Sequence, residues 1–340
     1  MPFMQTALYK RHIDLEAKMV DFFGWQMPLR YSKGTIAEYT AVRRESGLFD
    51  VSHMGVIEVE GLQAGEFLDY LSTSCVHSMK PYTSIYTLWC NENGFILDDV
   101  IIFKKSEYSF FVIVNASNRQ KDLDHLLNYA KHFDVFVTPR FEGMGIIALQ
   151  GPKSRQFLEG PLKRFTFMEK GPLIISATGY TGEDGFEIIG PDTHIDNLFN
   201  ELISQGVMPA GLGARDLLRL EKGYALYGHE LSDSIKPLES VSAFTVKKTV
   251  GFLGCKDLKE INHRFIAMTF EEGIARENTK LFMDDKEVGK VTSGSFSPIL
   301  NKAIALGLVS KEAYPFAVNK LYAQVRDKKI KAKVSQVPFL

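Results

Sequence analysis

With 340 residues, 45 % of them hydrophobic and 24 % charged, the chain can bury an ample core and is expected to be a soluble globular protein of two or three domains. A formal net charge of −1 argues against the basic face that a nucleic-acid partner demands. Cys75, Cys90 and Cys255 are odd in number and far apart, which excludes a disulfide framework and a zinc spacing.

The opening residues, Met1-Pro2-Phe3-Met4-Gln5, have neither the apolar core of a signal peptide nor the Arg- and Ser-rich character of a transit peptide, so a cytoplasmic location is expected. No run approaches the ~20 apolar residues of a membrane span. Residues 3–21 read as a short helix and then a strand, followed by an aromatic-glycine loop, Phe22-Phe23-Gly24-Trp25. Ile36, Tyr39, Ala41 and Val42 recur at helical spacing and predict a helix over 35–44 that stops near Gly47. The alternation Val56-Ile57-Glu58-Val59-Glu60 predicts a strand, and Phe67, Leu68 and Leu71 share one face of a helix over 62–73.

The most informative stretch is residues 84–103. Two runs of β-branched and aromatic residues flank Asn93-Gly94, a dipeptide that favours the positive φ angles of a tight hairpin turn. The second run carries Asp98 and Asp99 at its centre. Alternation sends the two carboxylates to opposite faces, Asp98 with Ile96, Val100 and Ile102, Asp99 with Leu97, Ile101 and Phe103. A carboxylate among apolar neighbours needs a partner, a raised pKa or a chemical task. For either one, a bond to backbone amides is the plain alternative.

Further along, a strand over 108–114 ends in Asn115-Ala116-Ser117-Asn118, and a helix over 118–132 is expected to bury Leu123, Leu126 and Leu127. A strand over 146–150 leads to Gly151-Pro152, which reads as the start of a helix with Phe157 and Leu158 inside and Gly160 as its stop. The strand over 173–177 breaks into Thr178-Gly179-Tyr180-Thr181-Gly182-Glu183-Asp184-Gly185 and resumes with Phe186-Glu187-Ile188-Ile189. A helix over 193–205 carries Ile195, Leu198, Phe199, Leu202 and Ile203, and Gly211-Leu212-Gly213-Ala214-Arg215-Asp216 introduces another over 217–227. From Arg264 onward short strands with turn signals at Asp284-Asp285, Gly294 and Asn301 suggest a small all-β domain.

The glycine-rich run over 179–185 ends in two acids, which would repel a phosphate, so it is no nucleotide loop, and a plain hairpin would account for it. Glu187 follows it and is read as facing inward beside Phe186. A buried carboxylate there would accept two adjacent N–H donors such as the amino-pyrimidinone edge of a pterin or guanine. Arg215, read as heading a helix, suits a ligand carboxylate, and a structural ion pair with Asp216 or Glu221 fits the spacing equally. Met54, Tyr86 and Tyr180 are candidates to stack on a flat heterocycle, or plain core. His53 and His229 lie in loop-like sequence without further ligands at metal spacing, so no metal is expected.

Taken together, 48–55 (Leu-Phe-Asp-Val-Ser-His-Met-Gly), Asp98-Asp99, Val114-Asn115-Ala116, 149–153 (Leu-Gln-Gly-Pro-Lys), Gly179 to Glu187, 211–216, 226–230 (Leu-Tyr-Gly-His-Glu), 291–294 (Val-Thr-Ser-Gly) and Phe296-Ser297-Pro298 closely resemble the aminomethyltransferase family, the T-proteins of the glycine cleavage system. The resemblance covers nearly the whole chain. It implies an α+β, three-lobed fold around a folate channel, with a folate-binding region over 1–261 and a C-terminal β-barrel over 262–340. It implies transfer of the methylene of an S-aminomethyl-dihydrolipoyl arm, carried on the lipoyl H-protein, to tetrahydrofolate as co-substrate, with release of ammonia and methylenetetrahydrofolate. By the same resemblance Asp99 is catalytic, and Met54, Tyr86, Asn115, Tyr180, Glu187 and Arg215 contact folate. A folate-binding accessory protein, or another folate-dependent methyl or methylene transferase of the superfamily, is the alternative. The chain departs from the usual pattern at Ala177, Thr73-Ser74-Cys75, Phe244 and Asn301.

Overall fold

The computed structural model describes residues 3–161, 163–318 and 320–340. Helices and strands are mixed through the first two thirds and strands dominate the last, which is the expected α+β class. Two compact units emerge. The first comprises residues 1–69, 75–86 and 100–216, and the second residues 70–74, 87–99 and 217–340.

In the first unit a six-stranded sheet runs in the order Phe167–Lys170, Leu173–Ser176, Gly185–Pro191, Met144–Gln150, Gly47–Asp50 and Met208–Pro209. Its pairings are antiparallel except the last, which is parallel. One face is covered by the helix Asp192–Ser204, whose Ile195, Phe199 and Leu202 pack on Ile147, Leu149, Phe186 and Ile188 in a dry cluster. A five-stranded sheet has the order Thr83–Cys90, Ile96–Lys104, Ser109–Val114, Gly55–Glu60, Phe136–Pro139. Of its first two strands, residues 83–86 and 100–104 count with the first unit and 87–90 and 96–99 with the second.

The second unit contains a closed barrel, His263–Phe270, Lys302–Ser310, Lys286–Ser297, Lys280–Met283, Tyr322–Val325 and Lys328–Ser335. Met268, Leu281, Val291, Ala305 and Ala323 fill its interior. Asp284 and Asp285 both take positive φ, 47° and 63°, between the paired residues Met283 and Lys286, as a two-residue hairpin turn requires. Gly294 is no turn residue. It lies within the strand Lys286–Ser297, where a Cβ would stand 1.8 Å from the carbonyl oxygen of Ala275, so only glycine admits that approach.

Several local expectations are corrected. The hairpin loop Asn91–Phe95 is wider than a two-residue turn, and of Asn93 and Gly94 only Gly94 has positive φ, at 75°. The Asn91 side chain closes the loop by accepting the amides of Asn93 and Phe95. After Gly151-Pro152 the chain makes one 3₁₀ turn, Ser154–Gln156, in place of a helix, although Phe157 and Leu158 do pack on the core cluster. In the helix Arg119–Ala130 the buried arc runs through Asp122, Leu123 and Leu126, which leaves Leu127 45 % exposed. The helix expected from 217 is Leu212–Lys222. A Cβ on Gly211, just ahead of the helix, would lie 2.5 Å from the backbone of Leu29, and one on Gly213, in its first turn, 2.9 Å from the hydroxyl of Thr35. Gly223, at φ 69°, ends it.

Candidate functional site

The loop between Ser176 and Gly185 is held from below by one side chain. Gln150, buried at the end of its strand, donates from Nε2 to the carbonyls of Thr178 (3.2 Å) and Phe186 (3.3 Å), and its Oε1 accepts the Thr181 hydroxyl at 2.8 Å. A Cβ on Gly179 would fall 1.9 Å from that same Oε1, and one on Gly185 2.3 Å from the carbonyl oxygen of Leu149. Gly182 turns the chain at φ 79°. Arg43 clamps the outer side, donating to the Thr181 carbonyl (2.8 Å) and to Glu183 (2.7 Å). The glycines of 179–185 are thus explained by close approach and by a left-handed turn.

This scaffold presents Tyr180 and Glu187. Tyr180 is half-buried, and the guanidinium carbon of Arg215 stands 4.5 Å from its ring centroid. Arg215 lies within the first turn of the helix Leu212–Lys222, its amide donating to the Gly211 carbonyl, so it does not stand ahead of the helix. Glu187 pairs across its strand with Ala148 on one side and Ser176 on the other. It does not face inward with Phe186. Alternation puts Phe186 and Ile188 in the dry cluster and leaves Glu187 half-buried on the opposite face, where the Thr178 hydroxyl donates to its Oε2. A carboxylate bonded on one side and open on the other is able to receive a ligand's N–H groups.

Beneath the segment 51–55 lies a fully buried polar chain. Asp50 Oδ2 accepts the Thr6 hydroxyl at 2.7 Å and faces His12 Nε2 at 2.9 Å, its Oδ1 accepts the Ser52 amide, and His12 Nδ1 meets the Tyr31 hydroxyl at 2.9 Å. Burial pushes the Asp50 pKa up, yet the bonds from His12, Thr6 and Ser52 outweigh it and hold Asp50 below the ordinary carboxylate value. His53 follows, 4 % exposed, with its ring edge-on to Phe22 at 5.4 Å between centroids and its Nδ1 buried without a hydrogen-bond partner. Burial foremost, aided by the positive charges of Arg215 and Arg119 and opposed by Asp50, brings its pKa down to about 4. His53 is neutral at physiological pH.

Met54 and Asn115 come together through the sheet. They bracket the paired residues Gly55 and Val114, Met54 just before one strand and Asn115 just after the other, both half-buried. Tyr86 and Asp99 are placed on the two hairpin strands, each half-buried. The alternation expected for the acids holds: Asp98 is wholly buried with Ile96, Val100 and Ile102, and Asp99 shares the partly open face with Leu97 and Ile101. Among the described residues no group of three His, Cys, Asp or Glu is arranged to hold a metal ion, and no helix is long and apolar enough to cross a membrane. Reading the residues alone gives no role to Gln150, Arg43 or Arg119. The signal for Gln150 was present, since it is the one amide ending an otherwise apolar strand.

Comparison with known proteins gives a consistent result. Residues 8–250 match the family model of the GCVT N-terminal domain, and residues 263–340 that of the glycine cleavage T-protein C-terminal barrel domain. An aminomethyltransferase of Thermosipho melanesiensis is 40 % identical over 352 residues, which cover 98 % of this chain and 96 % of that one. An aminomethyltransferase of Thermus thermophilus is 38 % identical over 351 residues, 99 % of each. The crystal structure of the glycine cleavage system aminomethyltransferase T from Bartonella henselae superposes with a TM-score of 0.94 at 32 % identity, covering 99 % of this chain and 98 % of that chain.

Proposed function

The chain belongs to the aminomethyltransferase family of glycine cleavage T-proteins, and from that premise we propose that it moves the methylene of an S-aminomethyl-dihydrolipoyl arm, borne by a lipoyl H-protein, onto tetrahydrofolate. The observation that carries this reading is the arrangement around the glycine-rich loop: a half-open carboxylate at Glu187 and an aromatic face at Tyr180 beneath the Arg215 guanidinium. A reduced pterin offers two adjacent N–H donors for Glu187, a flat ring for Tyr180, Tyr86 and Met54, and a tail carboxylate for Arg215. Asn115 supplies an amide beside Met54.

The reaction needs no redox partner. A folate nitrogen bonds the methylene carbon as the C–S bond breaks with its electron pair to sulfur. The second folate nitrogen then closes the bridge as the C–N bond breaks and ammonia leaves. The two protons lost by the folate nitrogens end on the thiol and on ammonia. Asp99 is the carboxylate we assign to this chemistry, holding a nucleophile N–H, favouring the iminium-like charge and passing a proton toward ammonia. The test is direct. Incubation with tetrahydrofolate and aminomethylated lipoyl H-protein is expected to give ammonia and methylenetetrahydrofolate in equal amounts. Folate binding without turnover would replace the transferase reading with an accessory role.

A further inference from the structure

Resting on the reading of this chain as a methylene transferase, we propose that His53 is a further catalytic residue. Its imidazole donates a hydrogen bond from Nε2 to the lipoyl sulfur as the C–S bond breaks, and the apolar arm reaches it along Phe23 and Phe22.

The backbone that carries His53 is fixed. The Met54 amide donates to the Val51 carbonyl at 3.1 Å and closes a turn around Ser52 and His53. The Ser52 hydroxyl ties that turn to the strand Met144–Gln150, donating to the Ile146 carbonyl and accepting the Ile146 amide, while Asp50 holds the Ser52 amide. The ring presented in this way is buried but unsatisfied. Nδ1 is wholly enclosed without a hydrogen-bond partner, and among the described residues no group bonds Nε2, which is not enclosed. Buried polar side chains are nearly always hydrogen-bonded, and a leucine or phenylalanine would fill the space without that cost. A partner arriving with a ligand accounts for the histidine. With the proton on Nε2, the enclosed Nδ1 keeps only a lone pair and the N–H belongs to the nitrogen that a ligand can reach.

The neighbours select the ligand. The His53 ring stands edge-on to Phe22 at 5.4 Å, and Phe22 edge-on to Phe23 at 4.8 Å. Phe23 is 50 % exposed and takes φ 52° in the two-residue turn between the paired Phe22 and Trp25, a position that favours Asn, Asp or Gly. The hairpin itself gives no reason to hold a bulky ring there, against both backbone preference and solvent. Met4 adds to the apolar tip, 49 % exposed and with its methyl 3.6 Å from where a Cβ on Gly24 would stand. The surface runs from this tip over two rings to a single N–H, which suits a hydrocarbon chain that ends in sulfur. Met54, assigned to the pterin wall, is the next residue, so a sulfur held at His53 would stand beside the bound folate.

The chemistry asks for such a donor. The C–S bond breaks with its electron pair to sulfur, and the carboxylates of Asp99 and Glu187 would repel the charge that develops there. A neutral N–H favours it. Burial foremost brings the His53 pKa down to about 4, so the ring is neutral at physiological pH. The imidazole keeps its proton throughout. The hydrogen that ends on the thiol comes from a folate nitrogen, and the balance of the reaction is unaltered.

The experiment follows single-turnover ammonia release from aminomethylated lipoyl H-protein and, by calorimetry, the dissociation constant of tetrahydrofolate. His53→Leu removes the donor, and His53→Gln keeps an amide N–H at the reach of Nε2. His53→Leu is expected to slow ammonia release about 10- to 100-fold and His53→Gln less than about fivefold, with tetrahydrofolate binding shifted less than about twofold in both. Phe23→Asn, which suits the turn, is expected to raise the KM for the H-protein about fivefold with kcat kept. Normal ammonia release in His53→Leu would overturn the assignment, and equal slowing in His53→Gln would make it a packing residue. A matching loss of tetrahydrofolate affinity would assign His53 to the folate and not to sulfur. An unchanged KM in Phe23→Asn would take the arm off the hairpin. If the unaltered protein releases no ammonia, the transferase reading falls and this assignment with it.

Discussion

The guanidinium of Arg215 stands 4.5 Å over the ring of Tyr180, so the cation is anchored by an aromatic face at the edge of the glycine-rich loop. If that cation meets a ligand carboxylate, Arg215→Ala weakens binding of tetrahydrofolate by about 10-fold or more and scarcely changes tetrahydropteroate. Equal losses for the two ligands would assign Arg215 a structural task.

Glu187 accepts one hydroxyl, from Thr178, and is otherwise half open. Glu187→Gln keeps the shape but turns one acceptor into a donor facing the pterin N–H groups. Tetrahydrofolate and tetrahydropteroate should both weaken, by roughly 1–3 kcal/mol. Fluorescence titration settles this, and an unaltered constant takes Glu187 out of the site.

Asp98 and Asp99 separate cleanly by burial, and their mutants should separate by phenotype. Asp99→Asn is nearly isosteric, and we expect folate binding to be kept while ammonia release falls by roughly 10²-fold or more. Asp98→Asn should lower the urea midpoint and leave turnover of the folded fraction close to normal. Normal turnover in Asp99→Asn with loss in Asp98→Asn would reverse the assignment.

His53 makes stability depend on acid. Unfolded, it takes up a proton near pH 6.5, and folded only near pH 4. Between those values the unfolded chain binds more protons, so the contribution is complete above pH 6.5 and is lost as pH falls toward 4. The loss is about 2–3 kcal/mol by pH 4.5. His53→Phe removes the titration, and urea unfolding at pH 7 and pH 4.5 should show a smaller drop for the variant. The same drop in both proteins would mean that other groups carry it.

What could be read from the chain was what strict periodicity encodes. The divergence of Asp98 and Asp99 follows from alternation alone and holds in the structure, as does the buried face of the helix Asp192–Ser204. Alternation also argued against the first reading of Glu187, because a residue next to buried Phe186 on a strand must face the other way. Glycines misled where they serve packing. Gly213 read as lying ahead of a helix and sits inside it against Thr35, and Gly294 read as a turn and lies mid-strand. The polar chain from Tyr31 through His12 to Asp50 was hidden because its contacts span 19 and 38 residues of sequence. The contacts of Arg119 with Trp25 and Phe141 were hidden for the same reason, since they join distant parts of the sequence.

The hairpin has a consequence for the order of synthesis. Its Leu88 and Ile96 share a dry cluster with Ala225, Leu231, Ile235 and Leu308. A ribosome delivers the hairpin long before those partners, and at roughly 5–20 residues per second the wait is on the order of 10 s or more. During that interval the strand bearing Asp99 has apolar side chains and no finished core to bury them. Over this segment the nascent chain carries apolar side chains whose core partners arrive only with residues 225–308, so it is open to mispairing until they emerge.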